Sequence, residues 1–445
     1  MGDDSDRLTV VGKTNGISAA SITYSGGLLV AKGNTQATSV EVNDGAVTPA
    51  VVSPLAGAYN SNFAVWGPTN TYTVLNTTLD LTGTWSSSDW SDSTNSRGWK
   101  WDYNSGGSTL TLKNIIINGH DKSGGAYGVY LPNNANVVLE GVNVASAGNE
   151  SISYGRTSGV AGLKNLTITG NGTLISLAGK IDGQGSYGIH STGGVSIGMG
   201  SDAPNVTAIS TNQTGGEGFG MGNTPGFVVN SGTVTAIGTS YGIRSSAKSI
   251  INGGTITASG GQKAMDYTPS FGDNFGVTAG TWDGKFVRTG EGGEVPYLIW
   301  VGNTQVTSAN KNDVLGDGKV AYTLAGSETP QKLTLSGVNI TETYEDDFQR
   351  QAGIYSLGEL EIALSPGTIN TVDCSASNSF DGTSYGIYAW DGGLTISGAG
   401  TLKLTAGMTT GFSTGILSRS VAITEANVEA TGKTGVYATL TVGLL

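Results

Sequence analysis

One short phrase returns along the chain: a small or aromatic residue, a glycine, then a β-branched residue. It reads "AYGVY" from Ala126, "SYGIH" from Ser186, "SYGIR" from Ser240, "QAGIY" from Gln351 and "SYGIY" from Ser384. An alternating stretch closed by glycine forms a second half, as in "VNVASAG" from Val142, "GTVTAIG" from Gly232, "GTITASG" from Gly254 and "ANVEATG" from Ala426. The phrase glycines fall at Gly128, Gly188, Gly242, Gly353, Gly386, Gly415 and Gly435, with a degenerate copy around Gly220. Steps of 22 residues (Gly220 to Gly242) and 20 residues (Gly415 to Gly435) separate the closest copies, and longer gaps leave room for loops.

A period in the low twenties with two or three short alternating strands and no helical pattern is the signature of a solenoid. One coil cannot bury its apolar residues alone, so stability must come from stacking. The expected fold is therefore all-β, a right-handed parallel β-helix. The glycines belong where the chain bends or where another backbone approaches too closely for a Cβ. Recurrent asparagines, as in "LKNIIING", "LKNLTITGNG" and "LSGVNIT", are expected to line up from coil to coil. Collagen is excluded, because the 72 glycines follow no three-residue period and only 10 prolines accompany them.

A longer period overlies the short one. "AVWGPTNTYTV" from Ala64 resembles "LIWVGNTQVTS" from Leu298, and "LTLKNIIINGH" from Leu110 resembles "LTLSGVNITET" from Leu333. This divides the chain into a capping segment over residues 1–63 and two tandem β-helix modules. The first spans 64–297, and the second, 298–445, reads as truncated midway through a repeat phrase. The apolar junction "EVPYLIWVGN" is expected to continue the stack or to dock, since Tyr297, Ile299 and Trp300 would otherwise form a sticky patch.

The coil phrases resemble the right-handed parallel β-helix of the pectate-lyase-like superfamily. Residues 299–341 resemble a module of large secreted surface proteins of gut bacteria, described as adhesin-like or carbohydrate-binding. That resemblance implies an extracellular, bacterial-surface protein whose partner is a polysaccharide or a host or cell-surface glycan.

Charge and composition narrow the partners. The net charge is −12 and no basic block stands out, so nucleic acid is not expected. No apolar run approaches the roughly 20 residues of a membrane span, so no membrane insertion is expected, and the chain reads as a monomer. Cys374, the only cysteine, reads as a small buried apolar residue.

Catalytic signatures are sparse. A polygalacturonase-like pattern needs carboxylates and a histidine on consecutive coils, but the two histidines, His120 and His190, lie 70 residues apart in the first module. A lyase pattern would group Asp121, Asp182 and Arg156, or Glu345, Asp346, Asp347 and Arg350. Solvated loops are the simpler account of both. Glu345, Asp346 and Asp347 are also candidate ligands for Ca²⁺, though without the spacing of a dedicated calcium loop. No other cofactor is indicated.

Two groups of residues are candidates for ligand binding. Tyr130, His190, Arg244, Tyr355 and Tyr388 occupy one position of the phrase, which tolerates Tyr, His and Arg and so is expected to form an exposed lateral column. The segment "TWSSSDWSDSTNSRGWKWDYN" is the larger anomaly, since the first module is 11 residues longer here and carries Trp85, Trp90, Trp99 and Trp101. Rings among amides and carboxylates suit a carbohydrate platform. They equally suit a hydrophobic lid over the first coil. The reading preferred from sequence is a non-catalytic glycan-binding or adhesin-like protein, with a β-helix polysaccharide lyase or glycoside hydrolase and a structural spacer as alternatives.

Overall fold

A computed structural model describes residues 7–444 apart from 13–14, 20–21, 25–27, 34–35, 45–52, 59–62, 68–70, 84–85, 91–96, 123–124, 133, 148–150, 153–154, 182–184, 211–216, 248, 268, 325–329, 347, 376–382 and 408–410. The described residues are all-β, with about ten solenoid turns between residues 108 and 431. They are shared between two compact units, Met1–Gly293 and Glu294–Leu445.

Each coil of the first unit contributes a strand to each of three sheets. The phrase itself supplies the first sheet, through Gly125–Leu131, Arg156–Gly162, Ser186–Ser191, Gly218–Thr224, Tyr241–Ser245 and Lys263–Met265. The second sheet stacks Ser108–Lys113 with Ala135–Glu140, Leu166–Gly170 and later strands, and the third stacks Ile115–Asn118 with Val142–Ser146, Thr173–Leu177, Asn205–Ile209, Thr233–Gly238 and Thr255–Gly260. Pairing between successive coils is parallel and in register. The coil at Arg156–Gly162 is not evident from the repeat phrase, because Ser158 and Ala161 stand at the two positions where most other coils carry aromatic or long polar residues.

The phrase glycines are explained by close approach. A Cβ on Gly188 would lie 2.4 Å from the backbone nitrogen of Ile209 and 2.6 Å from the carbonyl carbon of Ala208, both in the third sheet. Gly220 meets Ile237 and Ala236 in the same way. Facing these glycines, the third sheet carries a column of small residues: Ala145, Ser176, Ala208, Ala236 and Ala258. The first and third sheets therefore nearly touch at this line, and only glycine fits. Turn glycines such as Gly170, Gly232 and Gly254 serve a different need, with φ of 83°, 85° and 78°. The asparagines do link coils. Asn114 accepts from the backbone N–H of Val142 in the next coil (2.9 Å), and Asn252 donates to Asn230 one coil before it (2.9 Å).

The described strands of the N-terminal segment pack against the third sheet of the stack. Its strands Arg7–Gly12 and Leu28–Gly33 pair in parallel, and Phe63–Trp66 pairs antiparallel with Leu28–Gly33. Leu28, Val30, Ala56, Phe63 and Val65 pack on Ile116, Val144, Ile175, Leu177 and Ile209 of the third sheet. By register, one outward column of that sheet reads Ile116, Val144, Ile175, Thr207, Thr235, Thr257. The column is apolar over the covered coils and turns to partly exposed threonine beyond them. Runs such as "NIIIN" and "TLISL" are apolar on both faces because both faces are buried.

Lys32 is enclosed in this interface. Its ammonium donates to Ser146 Oγ (3.4 Å) and lies 5.5 Å from the Phe63 ring centroid. Burial lowers its pKa from 10.5 to about 7.

In the second unit the parallel strands are Gln331–Leu335, Leu360–Leu364 and Thr383–Ser397 on one side, with Asn339–Ile340, Ile369–Asp373, Thr401–Thr405 and Asn427–Thr431 on another. Cys374 is buried in its core, as expected, among Ile354, Val372 and Ile387. The junction residues are part of this unit. Pro296–Val301 forms a hairpin with Thr304–Thr307 and pairs with Arg350–Ser356, which buries Ile299 and Trp300 and leaves Tyr297 partly exposed.

Two outcomes follow for stability. Gly188→Ala is expected to cost about 1–3 kcal/mol, read as a lower urea midpoint, because the third-sheet backbone must move; Gly226→Ala, where a Cβ meets nothing within 4 Å, is expected to be neutral. Between pH 7 and 10.5 the unfolded chain binds the Lys32 proton and the folded chain does not, so the burial cost is complete below pH 7 and fades as pH rises to 10.5. Lys32→Met is therefore expected to raise the melting temperature most near pH 6–7, with a gain that shrinks toward pH 10.

Candidate functional site

The glycine bend has a second effect. With glycine and the following aliphatic residue turned inward, the residues on either side of that pair both face outward. Their rings touch within a coil: Tyr127 and Tyr130 lie 4.7 Å apart, Tyr187 and His190 4.9 Å, and Tyr385 and Tyr388 5.2 Å. In the first unit the register aligns one outer column as Tyr127, Ser158, Tyr187, Phe219, Tyr241 and another as Tyr130, Ala161, His190, Gly222. Tyr187 stacks on Phe219 at 5.0 Å, and Phe219 on Tyr241 at 6.0 Å.

The ladder is interrupted at Ser158 and Ala161. A groove of about 350 Å³ opens there, lined by Tyr127, Tyr130, Arg156, Ala161, His190 and Thr192 among others. Gly222 leaves no such gap, because a Cβ there would meet the Tyr187 ring at 3.0 Å.

Polar chemistry in the groove centres on one pair. Arg156 Nη1 donates to His190 Nε2 at 3.2 Å. An arginine offers only donors, so Nε2 is the acceptor and the imidazole proton sits on Nδ1. Burial, and next the charge of Arg156, lower the His190 pKa from 6.5 to about 4, so the ring is neutral at physiological pH. Arg156 itself is exposed. No carboxylate is among the described residues lining the groove. Asp182 lies outside the described residues, and Asp121 lies in a strand whose side chains are likewise undescribed.

The lateral column differs from its expected exposure. These side chains do face away from the core, but His190, Tyr355 and Tyr388 are buried and Tyr130 is half-buried, while Arg244 is exposed over the Phe219 and Tyr241 rings and ion-paired with Glu217. The cause is an outer layer of side chains that repeat periodicity does not reveal. In the second unit Trp300 stacks on Tyr344 at 4.3 Å, Tyr344 meets Tyr355 edge-on at 5.0 Å, and Tyr355 stacks on Tyr388 at 4.7 Å.

The acidic loop anchors that layer. Asp346 accepts from Arg350 Nε (2.5 Å), from the Tyr355 hydroxyl (2.9 Å) and from the backbone N–H groups of Phe348 and Arg350. Glu345 accepts from Gln351 (2.6 Å). Asp347 lies outside the described residues, and among the described residues no three His, Cys, Asp or Glu side chains gather as a metal site.

The tryptophans separate. Ser87–Trp90 and Gly98–Asp102 form a hairpin whose second strand pairs antiparallel with Ser108–Lys113, placing Trp101 opposite Leu110 and Trp99 opposite Leu112. Both rings thus share the inward face of those leucines, and Trp101 is fully buried. Trp90 pairs with Gly98, on the opposite face. Trp85 lies outside the described residues. The second unit repeats the device with Tyr322 buried opposite Leu333. Trp101 is thus buried against Leu110 of the stack, and Trp99 borders a second groove of about 390 Å³ with Leu75, Thr78, Asp80 and Leu81.

His190 makes acid sensitivity measurable. Between pH 6.5 and 4 the unfolded chain binds a proton that the folded chain does not, so stability is expected to fall across that window, by up to about 3 kcal/mol. His190→Gln is expected to remove that part of the loss in urea titrations at pH 4 and pH 7. In comparisons with known proteins the chain matches no family model, no curated protein and no solved structure.

Proposed function

We propose that the protein is a non-catalytic glycan-binding module of an extracellular bacterial surface protein, and that the lateral groove of the first unit is its binding site. The observation that carries this reading is the groove itself: it is lined by the aromatic Tyr127 and Tyr130 and by the polar Arg156, His190 and Thr192. Sugars combine an apolar ring face with a rim of hydroxyls, and such a mixture of aromatic surface and a few fixed polar groups suits both. The resemblance of residues 299–341 to secreted adhesin-like proteins of gut bacteria supports the same placement. The neutral His190, bonded to an arginine and with no described carboxylate beside it, favours holding a ligand over cutting one.

The test is binding of the purified chain to a broad glycan panel, with reducing and unsaturated ends monitored in parallel. Retention without product release is expected, and Arg156→Ala and Tyr130→Ala are expected to weaken it at least about tenfold while Trp99→Ala leaves it unchanged. Product release, or loss of binding in Trp99→Ala alone, overturns the proposal.

A further inference from the structure

Two repeat phrases carry an arginine three residues before their glycine: Arg156 before Gly159 in the first unit and Arg350 before Gly353 in the second. Both guanidinium groups make the same bond to the next coil. Arg350 Nη1 donates to the Tyr388 hydroxyl, and Arg156 Nη1 donates to His190 Nε2 at 3.2 Å. Tyr388 and His190 hold the same place, two residues after the glycine of that next coil. Each arginine is thus anchored alike on one nitrogen.

The remaining donors differ. In the second unit Nε and Nη2 of Arg350 both donate to Asp346 Oδ2, at 2.5 Å each, and the Tyr355 hydroxyl donates to the same oxygen at 2.9 Å. A carboxylate that is only 8% exposed completes this clasp. In the first unit Ile152 stands where Asp346 does, four residues before the arginine, and Ala161 stands where Tyr355 does. Among the described residues nothing accepts from Nε or Nη2 of Arg156, and no carboxylate lines the groove that it borders. The same two places of the phrase hold a charged pair two coils on, where Glu217 and Arg244 meet at 2.6 Å. Of the three arginines on these ladders, Arg156 alone has no carboxylate partner among the described residues.

We propose that the groove recognises a sugar carboxylate, which takes on Arg156 the place that Asp346 takes on Arg350. This rests on the glycan-binding reading and narrows the ligand to acidic glycans, those carrying uronic or other sugar acids. Arg156 is exposed, so the carboxylate arrives from solvent and leaves the bond to His190 in place. A guanidinium keeps its charge at every physiological pH, and two of its N–H groups pair with one carboxylate more strongly than with neutral hydroxyls.

The experiment compares matched ligands. Oligosaccharides ending in glucuronate, galacturonate or N-acetylneuraminate are each tested beside their methyl esters, which keep the shape and lose the charge, and beside neutral and sulfated oligosaccharides. The acid is expected to bind at least about tenfold more tightly than its ester, and Arg156→Gln is expected to bring the acid down to the level of the ester. Equal binding of acid and ester, equal binding of sulfated and carboxylated sugars, or an acid preference that survives in Arg156→Gln overturns the carboxylate assignment while leaving glycan binding intact. The comparison of acid with ester uses the unaltered protein and decides the matter even where Arg156→Gln does not fold. No retention of any glycan by the wild type overturns both readings together.

Discussion

The structure depends on how closely two of its sheets approach. Along the glycine column the first and third sheets of the first unit are separated by little more than backbone contact, with alanine and serine facing the glycines. A core this thin on one side stores little apolar volume there, so cohesion comes from in-register stacking and from the wider region lined by leucine, isoleucine and valine. The same constraint fixes the outer surface. Turning glycine and its aliphatic neighbour inward brings two outer side chains together three residues apart, and parallel register turns each such pair into a ladder.

Electrostatics then distinguish the ladders of the two units. In the second, Asp346 and Arg350 bind the hydroxyls of Tyr355 and Tyr388, so the rings are fixed beneath a charged clasp. In the first, Arg156 bonds the neutral ring of His190 at the border of an open notch. Similar sequence phrases thus support a sealed surface in one place and a recess in another. The difference lies in which residues flank the phrase.

The all-β solenoid was legible from period and alternation, and so was the burial of Cys374. The lateral N-terminal layer was not, although its trace is present: the column Ile116, Val144, Ile175 gives way to Thr207, Thr235, Thr257. Reading that change requires the register, which needs every coil to be counted, and the coil at Arg156–Gly162 escaped because it lacks the aromatics that mark the others. Of the two substitutions that hide this coil from the repeat pattern, Ser158 and Ala161, the second is also a wall of the groove. Exposure failed for a related reason: alternation says which way Tyr355 and His190 face, but not that Trp300, Tyr344 or a neighbouring coil covers them.

The antiparallel strands at the edges of the coils have a consequence for how such a chain can lengthen. A parallel coil presents a template that another coil of the same kind can extend without limit. Val320–Thr323 in the second unit reverses the strand direction at its edge, whereas in the first unit Gly98–Asp102 and Phe286–Glu291 are reversed strands set between the stack and the outermost strands Ser87–Trp90 and Phe275–Gly280. Reversal changes the hydrogen-bonding pattern presented to a newcomer, so an added coil no longer finds its own complement. Each unit is in this sense a punctuated sentence. A reversed strand at such an edge offers an incoming coil of the same kind no continuation of the parallel ladder.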